Sequence, residues 1–503
     1  MARGPMLLVA AGSGRGGSEP ANVRSAPPGA VGTLGRMQQR QEQGSARTAP
    51  APAERRAPTG AGPATRRQLL RGAAGAASLA ALGALGTGAV AAQRSLRGPE
   101  QAPARIPLLC GTVAHADPDR RILVGGDAPD LELSPGTRLA AALPEHSPAR
   151  VRAADFTALT ADWREHLRAG LEQDEDGALL GELADTALAD LWVLDDELPA
   201  PVAGWSSNWR HVWPRDAAFC AVALSRIGAR GRAVDVLCHL QDLQAADGWF
   251  EARYVPGTDR APDGRAPQFD GTGLLLWASA EVVAASGTGG GAVADRLDRL
   301  VTTSLGALHH ATAGGAALPP VSPDYWEVDE SSPTLWGMAA TLAGLRAGAE
   351  LTGGTGAADA AATFAHLLAG TFGRSGYQRY RDGGGADSAL ALFDATGQQG
   401  QIEPSRLLAL RGELARPGGG IAPGAAWKQD GVSWTPSTSL LGLALARSGE
   451  RAAAREVLTW LAAHRTEAGS LPEKVLFDGR PASVAPLAWT AANTLLALDA
   501  LAG

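Results

Sequence analysis

The stretch WPRDAAFCAVALSRIG, residues 213–228, is followed after one residue by RGRAVDVLCHLQDLQAADG, residues 230–248. After its Pro-Arg-Asp start the first segment is apolar on nearly every side, and such a helix belongs in an interior; the second keeps Arg and Asp on one face, as an outer helix does. Glycines at 228 and 248 punctuate the pair. The alternation recurs in DGTGLLLWASAEVVAASG (270–287) before AVADRLDRLVTTSLGALHH (292–310), in SPTLWGMAATLAGLRAGAELTGG (332–354) before GAADAAATFAHLLAGTFG (356–373), and in PSTSLLGLALARSGE (436–450) before RAAAREVLTWLAAHRT (451–466). With LLGELADTALADLWVL (179–194), segments near 385–415 and the closing PLAWTAANTLLALDAL (486–501), about a dozen helices are predicted. Inner helix, short turn, outer helix, repeated about six times, predicts an all-α (α/α)6 barrel over residues 156–503. An open helical solenoid uses the same packing. The unequal repeats and long interrupting loops favour closure.

Ahead of the barrel, RILVGG and LELS between residues 105 and 155 read as a small β-containing lead-in. Residues 1–64 are rich in Gly, Ala, Pro and Arg without apolar periodicity and predict a disordered tail. Residues 65–92 carry paired Arg66 and Arg67, a weakly apolar Ala/Gly/Leu run and a small-residue site at Ala89–Ala91. That pattern resembles a twin-arginine export signal. The competing reading is an uncleaved anchor, but glycines interrupt the run, and no later segment has the length and apolarity of a membrane span. A secreted, extracytoplasmic protein handled transiently by the twin-arginine machinery is therefore expected.

The net charge of −7 comes without a basic stripe, which argues against nucleic acid as a partner. Cys110, Cys220 and Cys238 show no metal-ligand spacing, so neither a metal nor another cofactor is expected. Cys220 and Cys238 pair only if their helices face each other; buried free thiols are the simpler expectation.

Polar residues concentrate just before the apolar helices: Arg215 and Asp216, Gln268 and Asp270, Glu327, and Glu473 before the last. If the inner helices run parallel, these side chains converge at one rim. Asp216 and Asp270 alone read equally well as helix caps. Glu327 and Glu473 sit several residues upstream of their helices, where no cap calls for a carboxylate. Thirteen tryptophans against four tyrosines add to the pattern, with Trp205, Trp209, Trp213, Trp249, Trp326, Trp427 and Trp434 at the same junctions. Ring faces suit the C–H faces of sugars, although burial in a large core explains part of the set equally well. Two carboxylates across a ring-lined pocket are what glycosidic bond hydrolysis needs. Tyr325 and Trp326 are expected to desolvate Glu327 and keep it protonated as general acid, while Glu473 beside Lys474 serves as general base.

In order, WRHVWPRDAAF (209–219), PQFDGTG (267–273), PDYWEV (323–328), GSLPEKVLFDG (469–479) and PLAWT (486–490) resemble glycoside hydrolase family 15, the glucoamylase family. The resemblance implies an (α/α)6 barrel that hydrolyses α-glucosidic bonds from the non-reducing end with inversion. It also implies Glu327 as acid and Glu473 as base, Arg215 and Asp216 on the terminal sugar's hydroxyls, and Trp213, Trp489 and Asp270 around the sugar, to which the ring pattern adds Trp209 and Trp326 as expected sugar contacts. Two departures stand out: Val328 replaces a second acid, and Trp209 replaces a tyrosine whose hydroxyl helps orient water. A catalytically weakened carbohydrate-binding or regulatory protein on the same barrel is the alternative. An (α/α)6 lyase or cyclase lacks its expected residues here; LDDE at 194–197 is the nearest acidic run and reads as a solvated helix end.

Overall fold

A computed structural model describes residues 103–117, 120–171 and 174–503. The expected tail, 1–64, and signal segment, 65–92, lie outside the described residues. The sheet content is small: a hairpin of β1 (Thr112–Asp117) and β2 (Arg120–Val124), and a three-stranded antiparallel patch of β3 (Ser433–Trp434), β4 (Lys474–Val475) and β5 (Pro481–Ala482). Helices α1 (Pro148–Leu159) and α2 (Ala161–Leu171) follow the hairpin. Helical structure thus begins before residue 156, because Ser147 accepts from the Arg150 N–H as an N-cap and Pro148 suits the first turn. LELS forms no strand; Leu133 makes only an isolated bridge to Ala140.

Six helix pairs build the rest. The outer members are α3 (Gly177–Asp195), α5 (Arg230–Leu243), α8 (Asp298–Ala311, after the short α7, Gly290–Arg296), α10 (Thr355–Thr371), α12 (Pro404–Glu413) and α14 (Arg451–Ala463). Each is followed along the chain by an inner helix: α4 (Pro214–Arg226), α6 (Asp270–Ala285), α9 (Leu335–Thr352), the short α11 (Ala391–Ala395), α13 (Thr435–Arg447) and α15 (Ala488–Ala502), of which α4, α6, α9 and α13 pack on the outer helix that comes next, α5, α8, α10 and α14. Helix α4 packs on α6, α6 on α9, α9 on α11, α11 on α13, α13 on α15, and α15 back on α4. The ring is closed, so the fold is an (α/α)6 barrel and the solenoid alternative falls away.

Burial follows the sequence pattern. From Asp270 to Ala280 every residue of α6 is buried, whereas α5 buries only Ala233, Val234, Val236, Leu237 and Leu240, a single stripe. The tightest inner contact is between α6 and α9: a Cβ on Gly273 would lie 2.1 Å from the Ala340 carbonyl oxygen, and one on Gly344 would lie 2.7 Å from the Gly273 Cα. Only glycine lets the two backbones approach that closely. Thr334 caps α9 by accepting from Gly337 N at 3.2 Å, and Gly353 ends it in the left-handed region at φ 61°. All three cysteines are free, and Cys110 and Cys220 are buried. Among the described residues no helix is long and apolar enough to cross a membrane.

The lead-in is tied to the barrel's last loop. Arg138 pairs with the buried Asp190 of α3 at 2.7 Å, and Asp190 also accepts from Ser470 Oγ at 2.7 Å and Leu471 N at 2.8 Å. Leu108 bridges Ser483 in parallel, with Leu109 N donating to the Ser483 carbonyl and Ser483 N to the Pro107 carbonyl, each at 2.8 Å.

Asp394 on α11 carries a strain of another kind. It is 3% exposed, its Oδ2 has no hydrogen-bond partner, and burial pushes its carboxyl up to about 6. A folded value above the unfolded one means that the carboxyl costs nothing below the unfolded value, about 3.9, and costs progressively more until pH 6 is passed. Asp394→Asn is therefore expected to stabilise the fold by about 1–2 kcal/mol at pH 8, and the gain should vanish near pH 4 in thermal melts.

Candidate active site

The inner helices all start at one rim, and the polar residues that precede them meet there around one guanidinium. Arg215 in the first turn of α4 is buried, and its Nη1 donates to Gln268 Oε1 at 2.9 Å and to Asp270 Oδ2, in the first turn of α6, at 3.2 Å. Its Nε lies 3.3 Å from Asp216 Oδ1, and its Nη2 donates to Glu327 Oε1 at 2.9 Å. Trp336 of α9 donates its indole N–H to Asp270 Oδ2 at 2.8 Å, and Arg215 stands 5.6 Å from the ring of Trp489 on α15. Four inner helices, α4, α6, α9 and α15, thus place a side chain in one cluster. Burial pushes the Asp216 carboxyl up to about 6 against the pull of Arg215, with Glu327 and Asp270 pushing the same way as burial. One oxygen of Asp216 has no hydrogen-bond partner.

Glu327 sits at φ 57°, a left-handed conformation rare for a side-chain-bearing residue. The turn is held by Glu327 N donating to the Asp324 carbonyl at 2.8 Å and Trp326 N donating to Asp324 Oδ1 at 2.9 Å. Both carboxylate oxygens of Glu327 are occupied: Oε1 by Arg215 and by Gln268 Nε2 at 3.1 Å, Oε2 by Arg265 Nη1 at 2.7 Å. Burial pushes this carboxyl up, but Arg215, Gln268 and Arg265 together outweigh burial and hold it below the usual range. The expectation that neighbouring rings keep Glu327 protonated is therefore corrected: its cationic and amide partners outweigh burial. Tyr325 does not stack on it; its ring lies 4.5 Å from Trp336 and its hydroxyl reaches Asp387, Ser388 and the Pro423 carbonyl.

Glu473 is presented by the β4–β5 hairpin, just before β4, and Ser483 just after β5 faces it. Glu473 N donates to the Val484 carbonyl at 2.8 Å, and the Glu473 carbonyl accepts from Thr435 N at 3.0 Å, at the start of α13. Its carboxylate accepts from Ser483 Oγ at 2.5 Å and from Trp209 Nε1 at 3.3 Å, with Lys474 Nζ 3.3 Å away. Trp209 packs beside Trp213, Val484 and Leu487. Trp213 is the residue before α4, so the start of α4 is linked to both acids: to Glu473 through Trp209 and to Glu327 through Arg215.

A row of rings runs from Trp326, next to Glu327, to Lys474, next to Glu473. Trp326, Trp427 and Trp434 follow one another edge to face at 5.0 and 5.5 Å, and Lys474 stands 4.3 Å from the Trp434 ring. A Cβ on Gly424 would lie 2.4 Å from Trp326, so this ring needs glycine opposite it. Trp192 and Trp277 are core residues, while Trp460 is only partly buried. Trp489 is buried against Phe219, Tyr325 and Trp336.

Sequence reasoning missed five members of the site, one of them Ser483, which donates to Glu473. Arg265, Arg253 and Asp263 lie in the loop between α5 and α6, where only the segment's length signalled a role. Arg379 lies under Trp326, 3.5 Å from its ring, and pairs with Asp324 at 3.1 Å, Asp387 at 2.8 Å and Glu330. Asp324 and Glu330 flank Glu327 in sequence; nothing in the chain around position 379 predicts that their counter-ion comes from there.

No protein-family model matches the chain, and no curated protein sequence matches it. Among solved structures, a wild-type glycosidase superposes with a TM-score of 0.54 at 24% identity, covering 64% of this chain and 97% of that one. A Glu-to-Ala variant of a glycosidase in complex with glucose gives 0.53 at 24% identity with the same coverage. Glucoamylase from Saccharomycopsis fibuligera gives 0.50 at 12% identity over 65% of this chain and 96% of its own. At these identities the likeness is one of fold, and it agrees with the closed ring of six helix pairs.

Arg379→Met would leave Asp324, Asp387 and Glu330 without their shared cation. A loss of about 3–5 kcal/mol in urea unfolding is expected, as for other buried ion pairs deprived of one partner.

Proposed function

We propose that this protein is an exported inverting glycoside hydrolase that cleaves α-glucosidic bonds from the non-reducing end of small glucosides or oligosaccharides. The observation that carries the reading is that Glu327 and Glu473, distant in the chain, are each joined by one side chain to the start of α4, Glu327 through Arg215 and Glu473 through Trp209, which packs beside Trp213. Buried polar atoms that make no hydrogen bond at the same rim, the indole N–H groups of Trp213 and Trp489 and Asp216 Oδ1, the last with only its ion pair to Arg215, are the kind that sugar hydroxyls satisfy. The glycosidase and glucoamylase folds that superpose on the chain, and the ordered family 15 motifs, support the same reading. Export is supported by the paired Arg66 and Arg67 and the apolar run after them.

In this reading a water lies on the Glu473 side of the anomeric carbon. Glu473 takes its proton as the oxygen attacks, and Glu327 delivers a proton to the glycosidic oxygen as the C–O bond breaks. Arg215 and Asp216 hold hydroxyls of the terminal sugar, and the Trp326 row carries its apolar face. Positive charge develops on the sugar ring, and the nearby carboxylates stabilise it.

The two departures from the family pattern bear differently on activity. Val328 is exposed and reaches no partner at Glu327's oxygens. Trp209 supplies an indole N–H to Glu473 where the family has a hydroxyl, so the base keeps a donor that fixes its orientation. That contact favours the hydrolase over the weakened binding protein.

Proton NMR of the first minutes of turnover on an aryl α-glucoside, whose aglycone has no anomeric centre, should show the β-anomer of glucose before mutarotation, with maltose, isomaltose and trehalose followed as total glucose. The α-anomer as first product from the aryl glucoside, or no turnover on any of these substrates with retained binding, would contradict the proposal. Glu327→Gln and Glu473→Gln should each lower kcat by about 10²–10⁴-fold while ligand affinity by calorimetry changes little. Ser483→Ala should lower kcat about tenfold with KM nearly constant, because a hydrogen bond that aims the base is lost.

A further inference from the structure

Arg265 holds Glu327 differently from Arg215. Arg215 is buried and fixed by Gln268, Asp270 and Asp216. The Arg265 side chain is 41% exposed, and its recorded partners are two carboxylates: Glu327 Oε2 at 2.7 Å and Asp263 Oδ2 at 3.3 Å from its Nε. Asp263 is itself anchored, 2.5 Å from Arg253 Nη2. Arg253 in turn donates to the Asn208 carbonyl at 2.8 Å and stands 4.9 Å from the Trp213 ring. Arg265 therefore has a fixed resting place beside it.

A general acid must carry its proton on an oxygen that faces the leaving oxygen. Oε1 of Glu327 is taken by two buried donors, Arg215 and Gln268, which leaves Oε2. An oxygen that accepts from a guanidinium at 2.7 Å is not free to donate a proton along the same direction.

We propose that Arg265 is a displaceable counter-ion of Glu327: it rests on Oε2, and saccharide binding turns it onto Asp263, freeing that oxygen for proton transfer. Arg265 is then a positioning residue that sets the proton affinity of the acid in the free enzyme and not in the complex. The inference rests on the assignment of Glu327 as the general acid. The other charged groups that face Glu327 are Arg215 and Asp216 from α4 and Asp270 from α6; none of them has an exposed position to move to. Asp324 lies on Glu327's own turn and is committed to Arg379.

The sign follows from the role. Activity is lost as pH rises through the value at which the acid gives up its proton, and a neighbouring cation moves that loss to lower pH. With a neutral glucoside, kcat/KM reports the free enzyme and kcat the complex. In the wild type, the alkaline limb of kcat/KM should lie below that of kcat. Arg265→Gln should raise the alkaline limb of kcat/KM by about 0.5–1 pH unit and leave that of kcat in place, while Arg265→Lys keeps both near wild type. Coincident alkaline limbs in the wild type, or an Arg265→Gln profile with both limbs unmoved or both moved equally, would overturn the proposal. The wild-type comparison needs no variant to fold. Turnover surviving in Glu327→Gln would remove the acid itself, and this proposal with it; an inactive Glu327→Gln alongside coincident limbs would remove only the part given to Arg265.

Discussion

Three carboxylates around one buried guanidinium is the constraint from which the site follows. Arg215 cannot be left unpaired, since an uncompensated buried charge costs several kcal/mol. Asp216, Asp270 and Glu327 surround it, and each comes from a different part of the rim: the same turn of α4, the first turn of α6, and the loop before α9. The arrangement ties loop to helix and helix to helix. It also carries more negative than positive charge, and that surplus appears where burial is deepest, as an Asp216 carboxyl pushed up to about 6. Arg265 offsets part of the surplus from the solvent side.

The barrel supplies the setting. Because each inner helix is joined to the next through an outer one, all six run the same way and their N-termini share a rim. Helix N-termini carry partial positive charge and unpaired N–H groups, so a rim built from them tolerates carboxylates such as Asp216 and Asp270 in its first turns. Arg379 repeats the logic of Arg215 one helix along, holding the two acids that flank Glu327 while lying against Trp326. Glu327's left-handed backbone is held inside this frame. The lead-in serves the opposite side: its bridge to Ser483 fixes the residue whose hydroxyl donates to Glu473.

How much of this was legible in the sequence differs by kind of interaction. Helix pairs and their inner or outer placement were legible, because a helix buried all round, such as α6, leaves no polar face to misread. The convergence of Arg215, Asp216, Asp270 and Glu327 followed from parallel inner helices. The start of α1 was misplaced because Pro148 and its cap precede any clear apolar period. The protonation of Glu327 was misjudged because adjacent rings are visible in the chain, while Arg265, which shares no helix with Glu327, is not. Arg379 and Ser483 were invisible for the same reason: their partners lie 55 and 10 positions away across loops with no periodic signal.

The claim on which the rest depends is that Glu327 and Glu473 act across one bound saccharide. The most direct measurement is a crystal structure of the Glu327→Gln protein soaked with maltose. The account predicts a glucosyl ring at the common start of α4, α6, α9 and α15, with residue 327 and Glu473 on opposite sides of the scissile bond and their carboxyl-derived groups about 6.5–9.5 Å apart, room for one water. A separation of about 5 Å would indicate a retaining enzyme, and a sugar bound away from either residue would contradict the account altogether.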